Sequence, residues 1–373
     1  MARVVGIPTE IKDQERRVAL QPDGVSELLH HGHEVVVQAG AGRGSGFKDE
    51  EYAACGARIV ESADEVFAAA DVIVKVKEPI LAEYSRFRPG QELFTYLHLA
   101  ADRELTQFLL QKQIAAIAYE TVELPDGTLP LLTPMSEVAG RMSIQAAAHY
   151  LESPNGGAGL LLGGVPGTPA ARVTIIGGGV VGTEAAKIAV GMRAMVRVLD
   201  LNARRLAYLS DIFGGRIDLV IPNRARIAAY VQDSDVVVGA VLVHGAKAPK
   251  LVSREMVASM RPGSVVVDVA IDQGGCIETA RPTTHSHPIY VEEGVIHYCV
   301  TNIPGAVART STLALTSVTL PYLMQIANLG VEKAVAADPA LLKGLSTLYG
   351  SLVCQPVAEA HGLPYVTADS VLP

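Results

Sequence analysis

The stretch from Val173 to Ala189, VTIIGGGVVGTEAAKIA, narrows the possible folds more than any other part of the chain. An aliphatic run leads into Gly177-x-Gly179-x-x-Gly182, and an Ala-rich helical pattern follows at once. A strand, this glycine spacing and a helix together form the dinucleotide-binding turn. Gly177 permits the tight turn. Gly179 lets the backbone approach a pyrophosphate with no Cβ in the way, and Gly182 lets the helix pack closely on the strand. The helix, expected over residues 181–192, offers unpaired N–H groups at its start and a partial positive charge to phosphates. Asp200 ends the next strand, MVRVLD, where an acid accepts from ribose hydroxyls. A carboxylate there also repels a 2′-phosphate, which favours NAD, although Arg204 and Arg205 lie where an arginine accommodates NADP. As a helix N-cap, Asp200 would have a plainer role.

The alternation around this motif sets the fold class. The chain has 373 residues, more than one ordinary core accommodates, so two domains are expected. Aliphatic runs at residues 4–7, 34–37, 71–74, 93–96 and 114–118 alternate with helical stretches, as they do in a parallel sheet with crossover helices. Residues 136–152 read as one long helix, and residues 153–170 as a Gly- and Pro-rich loop. A second alternation then begins, with strands at 173–176, 195–199, 235–238 and 264–267. After Pro304 comes a long apolar helix, residues 313–327, and a tail too short to be an α/β domain of its own. The tail is expected to return to the first domain. This makes an α/β protein of two doubly wound parallel-sheet domains, the central one a Rossmann insertion in a discontinuous partner domain, with the active site expected in a cleft between them.

Composition excludes several alternatives. The 31 basic and 39 acidic residues leave a net charge of −8, contrary to the basic face that nucleic acid requires. Cys55, Cys276, Cys299 and Cys354 form no CxxC pair, so neither a zinc knuckle nor a disulfide framework is suggested, and reduced cytoplasmic thiols fit best. The opening MARVVGIPTE enters a strand pattern with no signal-peptide core. The longest apolar stretch, residues 312–330, is interrupted by Thr316, Ser317, Pro321, Gln325 and Asn328, and reads as a core or interface helix. No membrane span is expected.

Polar groups of the first domain fall at strand ends. Arg16 and Arg17 follow the first strand, Lys75 and Lys77 lie in VKVKEP, and His98 lies in LFTYLHLAA where its strand would end. Arginine binds a carboxylate with two hydrogen bonds, lysine binds it as a point charge, and histidine exchanges protons near neutral pH. The set suits a small keto or amino acid. Each member also has a plain reading: a solvated arginine doublet, a structural lysine, a core histidine. In the second domain Asp268 and Asp272 lie in VVVDVAIDQGGC, where an Asx turn is the plain alternative. VTNIPG, residues 300–305, forms another loop at the domain crossing.

These stretches, with GIPTEIKDQERRVAL, AYETV, PLLTPMSEVAGRMSIQ, LLGGVPG, RPTTHSHP and NIPGAVARTST, closely resemble the L-alanine dehydrogenase family over nearly the full length. The resemblance implies an enzyme that interconverts L-alanine with pyruvate and ammonium using NAD. It implies a substrate domain of residues 1–132 and 306–373, an NAD domain of residues 133–305, and a cytoplasmic homohexamer. Carried over residue by residue, Arg17 and Lys77 hold the substrate's carboxylate and carbonyl, His98 is the acid/base, and Asp272 is the second catalytic group. The implied cofactor contacts are Ser136, Gly177, Gly179, Val180, Gly182, Asp200, Arg205, Val241, Leu242, Ile271, Asp272, Arg281, Val300, Asn302 and Ile303. Some family members hold a divalent metal through an acid and a histidine near the end of the long C-terminal helix. Here LMQIANLG places Gln325 and Leu329 there, so no metal is expected. The rival reading is the NAD-binding α component of a proton-translocating transhydrogenase, whose chains usually lack a histidine at the position of His98.

Overall fold

The computed structural model describes residues 2–241 and 248–372. The chain divides into two compact units, residues 1–135 with 307–373, and residues 136–306.

In chain order the first unit forms β1 (Val4–Ile7), α1 (Pro22–His30), β2 (Glu34–Gln38), α2 (Asp49–Ala54), β3 (Arg58–Val60), α3 (Ala63–Ala69), β4 (Val72–Val74), α4 (Leu81–Tyr84), β5 (Glu92–Thr95), α5 (Arg103–Gln111) and β6 (Ala115–Ala118). Helix α6 (Thr133–Tyr150) runs into the second unit. That unit contains β7 (Arg172–Ile176), α7 (Val180–Gly191), β8 (Met195–Leu199), α8 (Ala203–Phe213), β9 (Asp218–Val220), α9 (Arg224–Gln232), β10 (Val236–Gly239), α10 (Arg254–Ala258), β11 (Val265–Asp268), β12 (Ile289–Glu292) and β13 (Val295–Tyr298). The chain then returns through α11 (Ala308–Leu329), α12 (Val331–Ala337), α13 (Pro339–Gly344), β14 (Leu345–Leu348), β15 (Ser351–Leu352) and α14 (Gln355–His361).

The first sheet has the order β15-β14-β6-β5-β4-β1-β2-β3. Strands β1 to β6 are parallel, while β14 runs antiparallel to β6 and β15 antiparallel to β14. The second sheet has the order β12-β13-β11-β10-β7-β8-β9, parallel except for β12 at one edge. The two doubly wound sheets therefore take the expected form, with antiparallel strands added at their edges. The central strands read as unbroken aliphatic runs because helices cover both faces. Val72, Ile73 and Val74 are wholly buried, as are Val236, Val237 and Val238. Local signals start the helices. Ser62 and Glu65 form a capping box at α3, and the Asp102 carboxylate accepts from the Leu105 N–H at α5.

The tail completes the first unit. The Thr312 hydroxyl accepts from the Val18 N–H, and Glu92 accepts from the Val331 N–H. The Thr347 hydroxyl on β14 donates to the Ile114 carbonyl beside β6.

Candidate active site

Every candidate residue in the first unit follows the carboxyl end of a parallel strand, where open α/β sheets bind ligands. Arg17 lies beyond β1, Lys77 beyond β4 and His98 beyond β5; Glu120 follows β6 on the adjoining strand.

The arginine doublet splits. Arg16 is exposed and donates to the Gln14 amide oxygen, whereas Arg17 is only 2% exposed. The Glu15 carboxylate takes two bonds from Arg17, Nε to Oε1 at 2.7 Å and Nη2 to Oε2 at 2.5 Å; Nη1 reaches the Met135 sulfur at 3.2 Å. Burial opposes the charge, but Glu15 outweighs it and holds the guanidinium pKa above its ordinary value. The lysine pair splits as well. The Lys75 ammonium is fully enclosed, 3.1 Å from Glu10 and 2.8 Å from Glu83. Burial again works against the charge, and the two carboxylates raise the Lys75 pKa above the usual lysine range. Glu10 also accepts from the N–H groups of Val76 and Lys77, which fixes the backbone that carries Lys77. Lys77 itself is half-buried. Its neighbour Glu78 forms an ion pair with Lys12. Burial favours the protonated Glu78, but Lys77, Lys12 and His98 together hold its carboxyl below the ordinary range.

His98 is not a core residue, because its side chain is 44% exposed. Its backbone is left-handed, with φ 50° and ψ 36°, and this turns the chain out of the β5 line. The ring lies parallel to Tyr96, with centroids 6.0 Å apart, and the Tyr96 hydroxyl donates to the Leu131 carbonyl at 2.5 Å. Tyr96 in turn lies within the electrostatic reach of both Arg17 and Glu120. The carboxylates of Glu10, Glu15, Glu78 and Glu120 carried no predicted role. The signal for them was indirect, since buried cations require partners.

In the second unit the candidates follow the carboxyl ends of five neighbouring parallel strands. The glycine turn follows β7, Asp200 follows β8, Val241 follows β10, Ile271 and Asp272 follow β11, and Val300, Asn302 and Ile303 follow β13. Leu242 lies outside the described residues. A Cβ on Gly177 would stand 2.5 Å from the Ala240 carbonyl oxygen, and one on Gly182 only 1.8 Å from the Gly177 oxygen. A Cβ on Gly179 would meet nothing within 4 Å among the described residues. Gly177 and Gly182 are therefore required by the protein's own packing, while among the described residues nothing crowds Gly179, as a turn that admits a pyrophosphate requires. The residues fit a dinucleotide.

Asp200 does not cap α8; that role belongs to Asn202, which accepts from the N–H groups of Arg204 and Arg205. The Asp200 carboxylate instead accepts from Gly178 N–H and Asn202 N–H, each at 2.7 Å. The Arg205 guanidinium turns to the glycine turn, donating to the Gly178 carbonyl at 2.5 Å and the Thr183 hydroxyl at 2.6 Å. Ile271 is buried and Asp272 exposed, in a short 3₁₀ turn closed at Gly274. The exposed Arg281 lies over the Tyr290 ring, 3.8 Å from its centroid. The Asn302 carbonyl oxygen lies 2.6 Å from His285 Nε2. Ser136 is half-buried in α6. Among the described residues no group of three or more His, Cys, Asp or Glu side chains is placed to hold a metal ion.

Fold and site together define a two-unit, doubly wound α/β protein with a dinucleotide-type glycine turn in one unit and, in the other, basic side chains that follow the carboxyl ends of neighbouring strands. Known proteins narrow this class. The family described as "Alanine dehydrogenase/PNT, N-terminal domain" matches residues 6–139, and "Alanine dehydrogenase/PNT, C-terminal domain" matches residues 143–355. The chain belongs to this alanine dehydrogenase/PNT family. The alanine dehydrogenase of Methanococcus maripaludis is 60% identical over 99% of both chains. A solved L-alanine dehydrogenase superposes with a TM-score of 0.93 at 52% identity, over 96% of this chain and 99% of that one. A transhydrogenase structure from Sinorhizobium meliloti is more distant, with a TM-score of 0.79 at 28% identity over 94% and 99%.

Proposed function

We propose that the chain is an enzyme that catalyses the NAD-dependent oxidative deamination of L-alanine to pyruvate and ammonium, and the reverse reductive amination. The observation that carries this reading is full-length identity of 60% with an alanine dehydrogenase. The cluster of Arg17, Lys77 and His98 at the carboxyl edge of one sheet agrees with it. When bound, NAD supplies the hydride acceptor and, once reduced, the donor. The glycine turn from Gly177 to Gly182 and the N-terminus of α7 receive its pyrophosphate, and Asp200 its ribose.

In the aminating direction Arg17 takes the pyruvate carboxylate, with its guanidinium preset by Glu15. Lys77 takes the carboxylate or carbonyl oxygen. After ammonia adds to the carbonyl, His98 protonates the oxygen that departs as water and leaves an iminium. In the other direction His98 accepts protons as water adds and ammonia leaves. Asp272 holds the water or ammonia and balances the iminium charge. The reading includes a cytoplasmic homohexamer. Unpaired Cys55, Cys276, Cys299 and Cys354 support the reducing compartment.

The test compares NADH oxidation with pyruvate plus ammonium against pyruvate alone. Ammonium-dependent oxidation is expected. Oxidation that ignores ammonium would overturn the assignment in favour of a lactate-type activity.

A further inference from the structure

His98 occupies a backbone conformation that side chains other than glycine rarely adopt, and one neighbour accounts for it. The Glu120 side chain is 15% exposed and its carboxylate meets the end of β5. Oε1 accepts from the His98 N–H at 2.6 Å. Both oxygens lie 3.2 Å from the Leu97 nitrogen, which also donates. Two successive N–H groups thus converge on one carboxylate, an anion-binding arrangement of the backbone. Bonds from N–H to a carboxylate are shorter and stronger than those to a neutral acceptor. The same Oε1 lies 3.8 Å from His98 Nδ1, so this edge of the ring faces Glu120 and Nε2 is the nitrogen on the other edge. Register supplies the reach: Thr95 on β5 pairs with Ala118 on β6, and each chain continues by a short turn to its functional side chain.

We propose that Glu120 is a positioning residue for the proton transfer. Its carboxylate holds the Leu97–His98 backbone in the left-handed turn that carries the imidazole out of the strand, and so fixes where the ring stands. The inference rests on His98 being the acid/base group.

The test is a double-mutant cycle in the full-length enzyme, read as ammonium-dependent NADH oxidation, with NADH binding followed by its fluorescence. Glu120→Ala is expected to lower kcat about 100-fold, the scale of a misplaced reacting group, with NADH affinity unchanged. Glu120→Gln keeps an oxygen acceptor for the two N–H groups and should recover about tenfold of that loss. In a His98→Ala background either Glu120 substitution should cost less than about twofold more, because a residue acting through another has nothing left to act on. If Glu120→Ala does not fold, the Glu120→Gln cycle carries the test alone. A Glu120 variant that turns over like the parent, or whose penalty persists undiminished without His98, overturns the positioning role. If His98→Ala itself turns over normally, the acid/base reading has failed and the positioning role falls with it. If His98→Ala is crippled but the Glu120 variants are not, the positioning role alone is wrong.

Discussion

Asp268 ends β11 wholly out of contact with water, and its carboxylate ties together both ends of the turn that bears Asp272. Oδ1 accepts from the Ala270 N–H at 3.1 Å and Oδ2 from the Ile277 N–H at 3.0 Å. The fit is close on two sides: a Cβ on Gly275 would stand 2.6 Å from Oδ2, and one on Gly239 3.0 Å from Oδ1. Burial raises the Asp268 pKa to about 6 from an ordinary 3.8, although the backbone N–H groups and Lys250 oppose the shift. In the unfolded chain the group loses its proton near 3.8, whereas the folded protein retains it to about 6. Across that window the native state binds more protons, so this group's contribution to stability falls as pH rises. Two pKa units correspond to about 3 kcal/mol. Urea unfolding of the parent and Asp268→Asn at pH 4 and pH 7 should therefore show the variant gaining about 2 kcal/mol relative to the parent between the two, since the unfolded carboxyl is already partly ionised at pH 4. A difference that stays constant between the two pH values would mean that the folded carboxyl does not retain its proton.

At the scale of elements, the turn between β7 and α7 separates what the fold needs from what a ligand needs. An added methyl on Gly182 would collide with the Gly177 carbonyl, whereas among the described residues nothing crowds the same methyl on Gly179, and Gly179 has φ −64°, open to any residue. Gly182→Ala should lower the Tm by about 2 °C, the effect of losing a kilocalorie or two in a chain of this size. Gly179→Ala should melt like the parent yet bind NADH at least tenfold more weakly, about 1.4 kcal/mol. Equal affinity in Gly179→Ala would remove Gly179 from the cofactor cradle. This turn was legible because its glycines, its strand and its helix all lie within one short stretch. The buried central strands were legible for the same reason. Strand β3, Arg58–Val60, is too short to announce itself, and β14 carries Ser346 and Thr347 among its four residues. Those hydroxyls break the aliphatic run; Ser346 donates to the nearby Gly344 carbonyl, but Thr347 donates to Ile114, far back in the chain. The site divides along the same line. Arg17, Lys77 and His98 lie in recognisable stretches at strand ends. Which arginine and which lysine turn inward depends on Glu15, Glu10 and Glu83, and the role of Glu120 depends on strand order. No local pattern encodes strand order.

At the scale of the whole molecule, the two units differ in how their sequences are assembled, and this should be visible in fragments. Residues 136–306 are continuous and contain every strand of the second sheet, together with a core built from such residues as Val237, Val257, Val266 and Ile277. A contiguous chain with its own core can fold alone. The first unit has no such independence. Without the tail, β6 would be left as an open edge, since Ile117 pairs with Leu345 on β14. Hydrogen bonds across the discontinuity would go too, Arg3 to the Ile326 carbonyl, Val18 to Thr312 and Val331 to Glu92. A bare apolar strand edge invites aggregation, and pairings distant in sequence form late. Fragment 136–306 is therefore expected to be monodisperse, to melt cooperatively and to bind NADH without oxidising it. Fragment 1–135 should aggregate when expressed alone and become soluble when 307–373 is co-expressed. Circular dichroism, size-exclusion chromatography and NADH fluorescence distinguish the outcomes. A well-folded 1–135 would show that the tail is an accessory to a sheet already stable. If 136–306 proved unfolded, stability in this protein would belong to the intact chain alone, and the insertion could not be regarded as an autonomous nucleotide-binding unit.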